Sequence, residues 1–184
     1  MIISLCGFMG SGKSTIGKNL ALYTGYRFID LDIYLQNKLG ISVQDIFTKV
    51  GEQGFREEEL TALKEIIKEE ENSSNNSHYG LILALGGGTV TIPECLKIIT
   101  EKTHCIYLNC PKEILTKRLI KSSSKRPLIA GKAQQEIENT INTLITEREY
   151  IYRECAKNTI SVGTKSLVKI VEEIGLILKE LLQI

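Results

Sequence analysis

The sequence lacks a charge excess of either sign. Its 184 residues carry 23 lysines and arginines against 22 aspartates and glutamates, which leaves a net charge of +1. This balance gives no general attraction for nucleic acid or for an anionic membrane. Apolar runs long enough to span a bilayer are missing, and the opening "MIISLCG" has no basic segment typical of a secretory signal. We therefore expect a cytoplasmic protein with neither nucleic acid nor a membrane as partner.

Paired cysteine motifs are missing as well. The five cysteines are an odd number, and none of them form a C-x-x-C pair. This pattern argues against a disulfide framework and against a zinc site. Cys6 and Cys105 lie within apolar runs and are predicted to be small core residues. A reducing compartment agrees with this cysteine usage.

What the sequence does contain is an alternation of short apolar segments with amphipathic ones. Strands are predicted at residues 2–6, 27–32, 81–88, 104–110 and 158–162. Helices are predicted at residues 13–24, 43–50, 52–70, 133–155 and 166–184, and Pro93 and Pro111 each suit the first turn of a further helix. The alternation predicts an α/β fold, a three-layer α/β/α arrangement around a five-stranded parallel sheet. Residues 1–184 fit a single domain.

Two polar stretches interrupt this pattern. "EEENSSNNSHYG" at residues 69–80 is predicted to be a surface connection. "SSSKRPLIAGK" at residues 122–132 is predicted to be a loop between two helices. Such a loop is either slack in the chain or a lid over a site.

The most specific motif is "GFMGSGKST" at residues 7–15. It matches the Walker A pattern G-x-x-x-x-G-K-[ST], with a strand before it and a helix after it. Its glycines allow a tight turn whose amides point at phosphate oxygens, and the following helix adds its positive N-terminal end. Lys13 is expected to neutralise the β- and γ-phosphates, and Ser14 to bind Mg²⁺ through its hydroxyl. The motif predicts a nucleotide triphosphate as donor and leaves the acceptor open.

A carboxylate near the Mg²⁺ is normally needed beside such a loop. Only "FIDLD" ends a predicted strand in acidic residues, so Asp30 and Asp32 are the candidates by elimination. In an extended chain these two positions point the same way. One would face the metal and the other an acceptor hydroxyl. One of the two is also expected to cap the helix that follows, and Asp32, directly before "IYLQNKL", would cap it well.

Several features lack an obvious structural purpose. Three glycines, Gly86 to Gly88, end a predicted strand at the edge where ligands lie in α/β sheets, and they suggest a ligand against bare backbone. Arg56, Arg126 and Arg148 could offset phosphoryl charge or bind a carboxylate in bidentate fashion. Each arginine could equally be an ordinary surface residue.

Taken in order, "GFMGSGKST", "FIDLD", "GEQGFREEE", "LGGGTV" and "KRPLIAG" resemble the shikimate kinase family, which has the nucleoside monophosphate kinase-like P-loop fold. The resemblance covers essentially the whole chain. It implies Mg²⁺-dependent transfer of the ATP γ-phosphate to the 3-hydroxyl of shikimate, within aromatic amino acid biosynthesis. It also implies a monomer, a substrate-binding helical region at about residues 32–60 and a lid at about residues 122–132.

The resemblance assigns residue roles as follows. ATP would contact the backbone and side chains of Gly10, Ser11, Gly12, Lys13, Ser14 and Thr15. Shikimate would contact Asp32, Arg56, Gly86, Gly87, Gly88 and Arg148. The implied catalytic residues are Lys13, Asp30, Asp32 and Arg126, the last as a lid arginine that reaches the ATP phosphates. The resemblance also implies that Phe55, Glu59, Pro127 and Leu128 line or brace the substrate pocket.

Some matches to the family are looser. Arg118 resembles an arginine beside the adenine, and Lys165 falls in "SVGTKS", where the family places its adenine loop. Thr89 follows the glycines where a small apolar residue is more usual. Two other functions stay open, namely a kinase for gluconate or for a nucleoside monophosphate, and a nucleotide-binding regulator without kinase activity.

Overall fold

One parallel sheet forms the centre of the molecule. The computed structural model describes residues 1–72, 80–123 and 126–182. Its sheet has five strands in the order β2-β3-β1-β4-β5, and every neighbouring pair is parallel. The strands are β1 (Ile2–Cys6), β2 (Arg27–Asp30), β3 (Leu81–Ala84), β4 (His104–Asn109) and β5 (Asn158–Ser161). The predicted five-stranded parallel sheet is confirmed.

Helices connect the strands, as parallel pairing requires. They are α1 (Lys13–Thr24), α2 (Leu31–Leu39), α3 (Val43–Asn72), α4 (Pro93–Lys102), α5 (Lys112–Lys121), α6 (Gln134–Cys155) and α7 (Leu167–Leu182). A short 3₁₀ turn covers Thr89–Thr91. None of the helices among the described residues is long and apolar enough to cross a membrane.

Side chains of β1 show that the sheet is covered on both faces. Leu5 approaches Gly17 of α1 so closely that a Cβ on that glycine would lie 3.3 Å from the Leu5 side chain. Ser4 points the other way and hydrogen-bonds Thr103, next to α4, at 2.7 Å. Cys6, two residues on, contacts the carbonyl of Tyr152 in α6. The three-layer α/β/α arrangement is therefore confirmed.

The second strand is shorter than the sequence predicted. It ends at Asp30, and α2 begins at Leu31. The Asp30 carboxylate accepts hydrogen bonds from the amides of Asp32 and Ile33 and caps the helix. The expectation that one of the two aspartates caps the helix is confirmed, with Asp30 and not Asp32 in that role. The expectation that both lie in an extended strand and point the same way is wrong, because Asp32 already belongs to α2.

The break near Gly51 is confirmed. α3 consists of two helical segments that meet at Gly51, whose φ of 70° and ψ of −176° lie outside the helical region. The helix therefore changes direction between its first part, which carries Phe47, and its second, which carries Arg56. Most of the predicted surface connection, residues 73–79, lies outside the described residues, as do lid residues 124–125 and residues 183–184 of the last predicted helix.

The fold brings four chain segments to one edge of the sheet. The phosphate loop follows β1, Asp30 ends β2, the glycines follow β3, and Cys110 follows β4. In open α/β sheets, ligands bind outside the carboxyl ends of the strands. The predicted motifs therefore meet where the fold favours a ligand.

Candidate active site

The loop between β1 and α1 has the backbone of a phosphate cradle. Gly7, Gly10 and Gly12 adopt φ values of 138°, 80° and 102°, which L side chains rarely adopt. The Ser11 amide donates to the carbonyl of Phe8 at 3.1 Å and closes the turn. Since α1 begins at Lys13, the loop amides and the helix N-terminus face the same space. This geometry suits a polyphosphate.

Lys13 points back across this loop. Its ammonium donates to the carbonyls of Gly7 at 2.8 Å and Phe8 at 3.1 Å, and the residue is buried. Burial lowers the pKa of Lys13 to about 8, an effect that the charge of Asp32 partly offsets. The side chain is thus held at the loop as a cation that lacks its usual hydration.

Ser14, in the first turn of α1, and Asp30, at the end of β2, are the candidate metal-binding residues, and a hydrogen bond joins them. The Ser14 hydroxyl donates to Asp30 Oδ2 at 2.5 Å. The other Asp30 oxygen accepts the amides of Asp32 and Ile33, which fixes the orientation of the carboxylate. Mg²⁺ prefers oxygen ligands and binds through few protein groups together with phosphates. The two oxygens beside the phosphate loop therefore fit such an ion.

Asp32 lies in the first turn of α2 and is half-buried. Burial, and after it the charges of Glu59 and Asp30, raise the pKa of Asp32 to about 6, although Lys13 and Arg126 act in the opposite direction. An aspartate with this pKa is ionised at neutral pH and is a stronger base than an exposed one. Such a group suits proton transfer near pH 7.

Two cavities open at this edge of the sheet. The larger one, of about 560 Å³, lies over the phosphate loop. It is lined by the predicted ATP residues Gly10, Ser11, Gly12, Lys13, Ser14, Thr15, Arg118, Arg126 and Lys165, together with Asp30 and Asp32. The structure thus brings the whole predicted ATP set to one cavity.

The smaller cavity, of about 230 Å³, lies between α2, α3 and the glycines that follow β3. The predicted substrate residues all line it, namely Asp32, Arg56, Gly86, Gly87, Gly88 and Arg148. The predicted bracing residues Phe55, Glu59, Pro127 and Leu128 line it as well. Residues from five separate chain segments therefore converge on a pocket of small-molecule size.

The two cavities share a wall. Met9, Asp32, Gly87 and Arg126 line both of them. Arg126 Nε is buried and has no hydrogen-bond partner among the residues that the structure describes. A buried N–H donor without a partner is costly, so an anionic ligand at this wall would satisfy it. The wall is where a group could pass from one cavity to the other.

Arg56 is held in the smaller cavity by two carboxylates. It forms an ion pair with the fully buried Glu59, and its other terminal nitrogen donates to Glu52 at 3.0 Å. The second Glu59 oxygen accepts the buried hydroxyl of Thr89 at 2.7 Å. Thr89 is therefore part of the support for Arg56.

Arg148 comes to the same cavity from α6. It is buried and makes a long contact of 3.5 Å with the carbonyl of Gly87. The same carbonyl accepts the Tyr152 hydroxyl at 2.5 Å. Because Arg148 has a weak contact there, its guanidinium retains donors for a ligand. Arg56 and Arg148 thus form two cationic walls of one pocket.

The glycines after β3 lie close to other atoms of the protein, which the sequence interpretation did not foresee. A Cβ at Gly86 would overlap Glu59 and lie 2.8 Å from the Thr89 hydroxyl, and a Cβ at Gly88 would overlap the Arg56 guanidinium. At Gly87 a Cβ would lie 3.1 Å from the Met9 amide nitrogen. The protein's own side chains therefore require bare backbone here, in addition to any ligand.

The two looser ATP candidates also lie at the larger cavity. Arg118 donates to the carbonyl of Gly10 at 2.9 Å, which ties α5 to the phosphate loop. Lys165 pairs with Glu173 at 2.5 Å. Both side chains line the cavity while holding protein partners.

Sequence reasoning missed five residues at or beside the smaller cavity. They are Met9, Gln36, Val43 and Phe47, which line the smaller cavity, and Tyr152, which fixes the Gly87 carbonyl. Spacing offered a signal for most of them: Gln36 follows Asp32 by one helical turn, Phe47 follows Val43 likewise, and Tyr152 follows Arg148. The sequence spacing did not indicate that the turn at Gly51 brings Phe47 to Phe55, whose ring centroids are 4.4 Å apart.

Comparisons with known proteins agree on one family. The model of the shikimate kinase family matches residues 9–179. The chain is 39% identical over 179 residues to a shikimate kinase of Enterococcus faecalis, covering 97% of this chain and 98% of that protein. It is 41% identical over 178 residues to one of Chlorobium phaeobacteroides, covering 94% and 88%.

Solved structures give the same result. A shikimate kinase from Acinetobacter baumannii in complex with shikimate matches with a TM-score of 0.84 at 30% identity, covering 99% of this chain and 93% of that one. The shikimate kinase of Aquifex aeolicus matches with a TM-score of 0.77 at 32% identity, covering 97% and 96%. The fold, the ordered motifs and the family match lead to one conclusion: the chain belongs to the shikimate kinase family.

Proposed function

We propose that this protein transfers the γ-phosphate of ATP to the 3-hydroxyl of shikimate, giving shikimate 3-phosphate and ADP. The observation that carries the proposal is the shared wall between the two cavities. One cavity has a phosphate cradle, the other has two arginines suited to a carboxylate, and Asp32 and Arg126 line both. Membership of the shikimate kinase family and a relative crystallised with shikimate support the identity of the acceptor.

The smaller cavity would hold shikimate by its two kinds of polar group. Arg56 and Arg148 would bind the carboxylate, since guanidinium groups pair with carboxylates in planar, bidentate geometry. Asp32 would accept hydrogen bonds from ring hydroxyls, and the backbone at Gly87 would contact the ring. Phe47 and Phe55 offer an apolar surface for the carbon skeleton.

The larger cavity would hold ATP by its phosphates. The loop amides and the N-terminus of α1 would surround them, and Lys13 would leave the carbonyls of Gly7 and Phe8 to bind the β- and γ-phosphates. Ser14 and Asp30 are the groups that would hold Mg²⁺, directly or through its water shell. When bound, Mg²⁺ supplies positive charge that offsets the charge of the phosphate oxygens.

The transfer would be a direct displacement. The 3-hydroxyl oxygen forms a bond to the γ-phosphorus while the bond to the β,γ-bridging oxygen breaks, and the hydroxyl proton passes to an Asp32 oxygen. Arg126 and Lys13 would offset the charge on the moving phosphoryl group, and the enzyme's main contribution is to align donor and acceptor. The described part of the predicted lid places Arg126 at the shared wall, and closure of that lid stays a prediction.

ADP release measured with and without shikimate tests the proposal. We expect turnover that depends on both shikimate and Mg²⁺. Nucleoside monophosphates should support far less turnover because they carry no carboxylate for the two arginines. Gluconate should also support far less, because its open chain lacks the ring that Phe47 and Phe55 would contact. Tight ATP binding without turnover on any of these acceptors would instead favour a nucleotide-binding regulator.

A further inference from the structure

Three cysteines that the kinase chemistry does not use lie together beneath the phosphate loop. They are Cys6 at the end of β1, Cys105 in β4 and Cys155 at the end of α6. Cys155 Sγ lies 3.8 Å from the sulfur of Cys6 and 3.8 Å from that of Cys105. All three sulfurs lie within 4.8 Å of one another, and all three residues are buried. We call them the trithiol cluster.

This cluster was not predictable from the sequence, because its members are about 50 to 150 residues apart in the chain. The topology creates it. β1 and β4 are neighbours in the sheet, and their register places Cys105 opposite Ser4. Cys6 points to the same face of the sheet as Ser4, and α6 ends above that face with Cys155.

The spacing suits one ion bound to three sulfurs. Because two sides of the sulfur triangle are 3.8 Å and the third is at most 4.8 Å, the point equidistant from the three sulfurs lies at most about 2.5 Å from each. Metal–thiolate bonds are about 2.3 Å long. The thiols therefore need to move by only tenths of an ångström to share a ligand.

The charge and the preferred coordination number of an ion decide which ions the three thiols suit. Zinc normally takes four ligands, and among the described residues no histidine or carboxylate joins the three sulfurs. A monovalent ion would leave the cluster with excess negative charge in the core, which is costly. A trivalent ion bound to three thiolates is neutral, so it avoids that cost.

We propose that the trithiol cluster is a binding site for a trivalent thiophilic ion of the arsenite class. In the reaction with arsenous acid, three As–O bonds break and three As–S bonds form. Each hydroxyl leaves with one thiol proton as water, so three water molecules are released. The arsenic stays trivalent, and no oxidant or reductant is needed.

Access to the cluster would begin at the end of α6. Cys155 is the last residue of this helix, and its neighbours Arg153, Glu154 and Lys157 are exposed. Helix ends fray, and local opening costs far less than global unfolding. Opening of this last turn would expose Cys155 first and then the two thiols on the sheet.

Binding would act on the kinase site through covalent neighbours. Cys6 immediately precedes Gly7, the first residue of the phosphate loop. The thiols of Cys6 and Cys155 both contact the carbonyl of Tyr152, whose hydroxyl supports the Gly87 carbonyl. Occupation of the cluster should therefore slow kinase turnover in proportion to the arsenic bound.

The test uses the native full-length protein, kept reduced without a thiol reagent and incubated with arsenite. We expect native mass spectrometry to show one arsenic per chain, with three hydrogens lost, and X-ray absorption to show three sulfur neighbours. The sulfur count does not depend on any variant. The same chain in urea serves as a check that the reagent reacts with these thiols.

Matched variants locate the site. The double variant Cys95→Ala, Cys110→Ala removes the two cysteines outside the cluster and should bind arsenite as the wild type does. Cys155→Ala should lose the three-sulfur adduct, and its far-UV circular dichroism spectrum should match that of the wild type. If Cys155→Ala is unstable, Cys155→Ser serves as the second variant.

Several results would overturn the proposal. The first is that the native wild type binds no arsenic although the urea-treated chain reacts with it. The second is that a three-sulfur adduct persists in Cys155→Ala, and the third is that the adduct is lost in the double variant Cys95→Ala, Cys110→Ala. Stoichiometric binding of Zn²⁺ or Cu⁺ in place of arsenite would overturn the choice of a trivalent ion.

Discussion

At the scale of single residues, the two arginines of the smaller cavity have different surroundings. Arg56 pairs with the buried Glu59 and with Glu52, whereas Arg148 makes one long contact with the Gly87 carbonyl. Arg56 therefore belongs to the buried ion-pair network of the protein as well as to the pocket. The two side chains should differ in what their removal does to stability.

Arg148→Ala should weaken shikimate binding by about 2–3 kcal/mol, or about 30- to 150-fold, because one charge-assisted partner of the carboxylate is lost. ATP affinity should stay unchanged. Arg56→Ala should weaken shikimate binding similarly and also lower the free energy of unfolding by about 3–5 kcal/mol, since it leaves Glu59 buried without its partner. Calorimetric titration and urea unfolding measure the two effects.

An unchanged shikimate affinity in Arg148→Ala would contradict the assignment of the carboxylate clamp. A loss of ATP affinity in its place would move Arg148 to the donor side of the site.

Thr89 is the residue whose hydroxyl supports the Glu59–Arg56 pair. Thr89→Val keeps the shape of the side chain and removes the donor, which leaves a buried Glu59 oxygen without its bond at 2.7 Å. We expect a loss of about 1–3 kcal/mol in unfolding free energy together with a raised KM for shikimate. Thr89→Ser retains the hydroxyl and should restore most of both.

Thr91→Val is the matched control for this change. The Thr91 hydroxyl donates to the Gly88 carbonyl at 2.7 Å from a half-buried position, with no contact to Glu59. Equal effects of the two valine substitutions on shikimate KM would argue against a specific role for Thr89.

Residue identities along the sequence predicted most of the site, but not how Asp30 and Asp32 act. Both were expected to extend a strand, with Asp32 well placed to cap the helix. The strand ends and the helix begins at Asp30, because its carboxylate accepts hydrogen bonds from two amides of α2. Spacing along the chain carries no information about which of two nearby aspartates makes that choice.

At the scale of secondary-structure elements, α3 is the part of the fold that shapes the acceptor pocket. Gly51 divides it into a segment with Phe47 and a segment with Arg56, and both side chains line the smaller cavity. The φ and ψ values of 70° and −176° lie in a region that is essentially restricted to glycine. The presence of a glycine at position 51 was sufficient to predict the break in the helix. The angle between the two segments was not predictable, because it depends on how each segment packs.

Gly51→Ala should therefore lower the unfolding free energy by about 1–3 kcal/mol from backbone strain alone. A Cβ at this position would meet no atom within 4 Å, so steric overlap makes no contribution. Relaxation of the kink should also move Phe47 relative to Arg56 and raise the KM for shikimate. Urea unfolding and steady-state kinetics measure both.

Gly40→Ala provides the comparison. Gly40 ends α2 at φ 67° and also has open space around its Cβ position. Its alanine variant should lose stability but keep the wild-type KM, and a raised KM in both variants would point to general loosening of the protein.

At the scale of the whole molecule, the sheet brings charges together that are distant in sequence. Asp32 is surrounded by Glu59, Asp30, Lys13 and Arg126, which come from four different segments. The alternation of strands and helices was sufficient to predict the sheet and the edge at which these segments meet. It could not predict the local fields, because those depend on burial and on the direction of each side chain.

Stability should depend on pH through Asp32. Its folded-state pKa of about 6 lies above the ordinary value of 3.8, so the protonated form is favoured by folding. The stabilisation is fully present below about pH 4 and is lost as pH rises through 6, a change on the order of 1–3 kcal/mol. Asp32→Asn removes this dependence, so its advantage in unfolding free energy over the wild type should grow between pH 4 and 7.

Asp45→Asn is a control of opposite sign. Hydrogen bonds from Ser42 lower the pKa of Asp45, so this carboxylate stabilises the protein above its ordinary pKa and ceases to do so as pH falls. That variant should be less stable than the wild type at pH 7 and approach it in acid. A constant difference between Asp32→Asn and the wild type across this range would contradict the raised pKa of Asp32.

The wall shared by the two cavities has a consequence for inhibitor design. Since Met9, Asp32, Gly87 and Arg126 line both spaces, a single molecule that passes these residues would occupy the two cavities together. A compound that joins a nucleotide to a hydroxylated ring acid through a phosphate chain would bind its second half at a high effective concentration. Its selectivity over other P-loop kinases would come from the half that contacts Arg56 and Arg148.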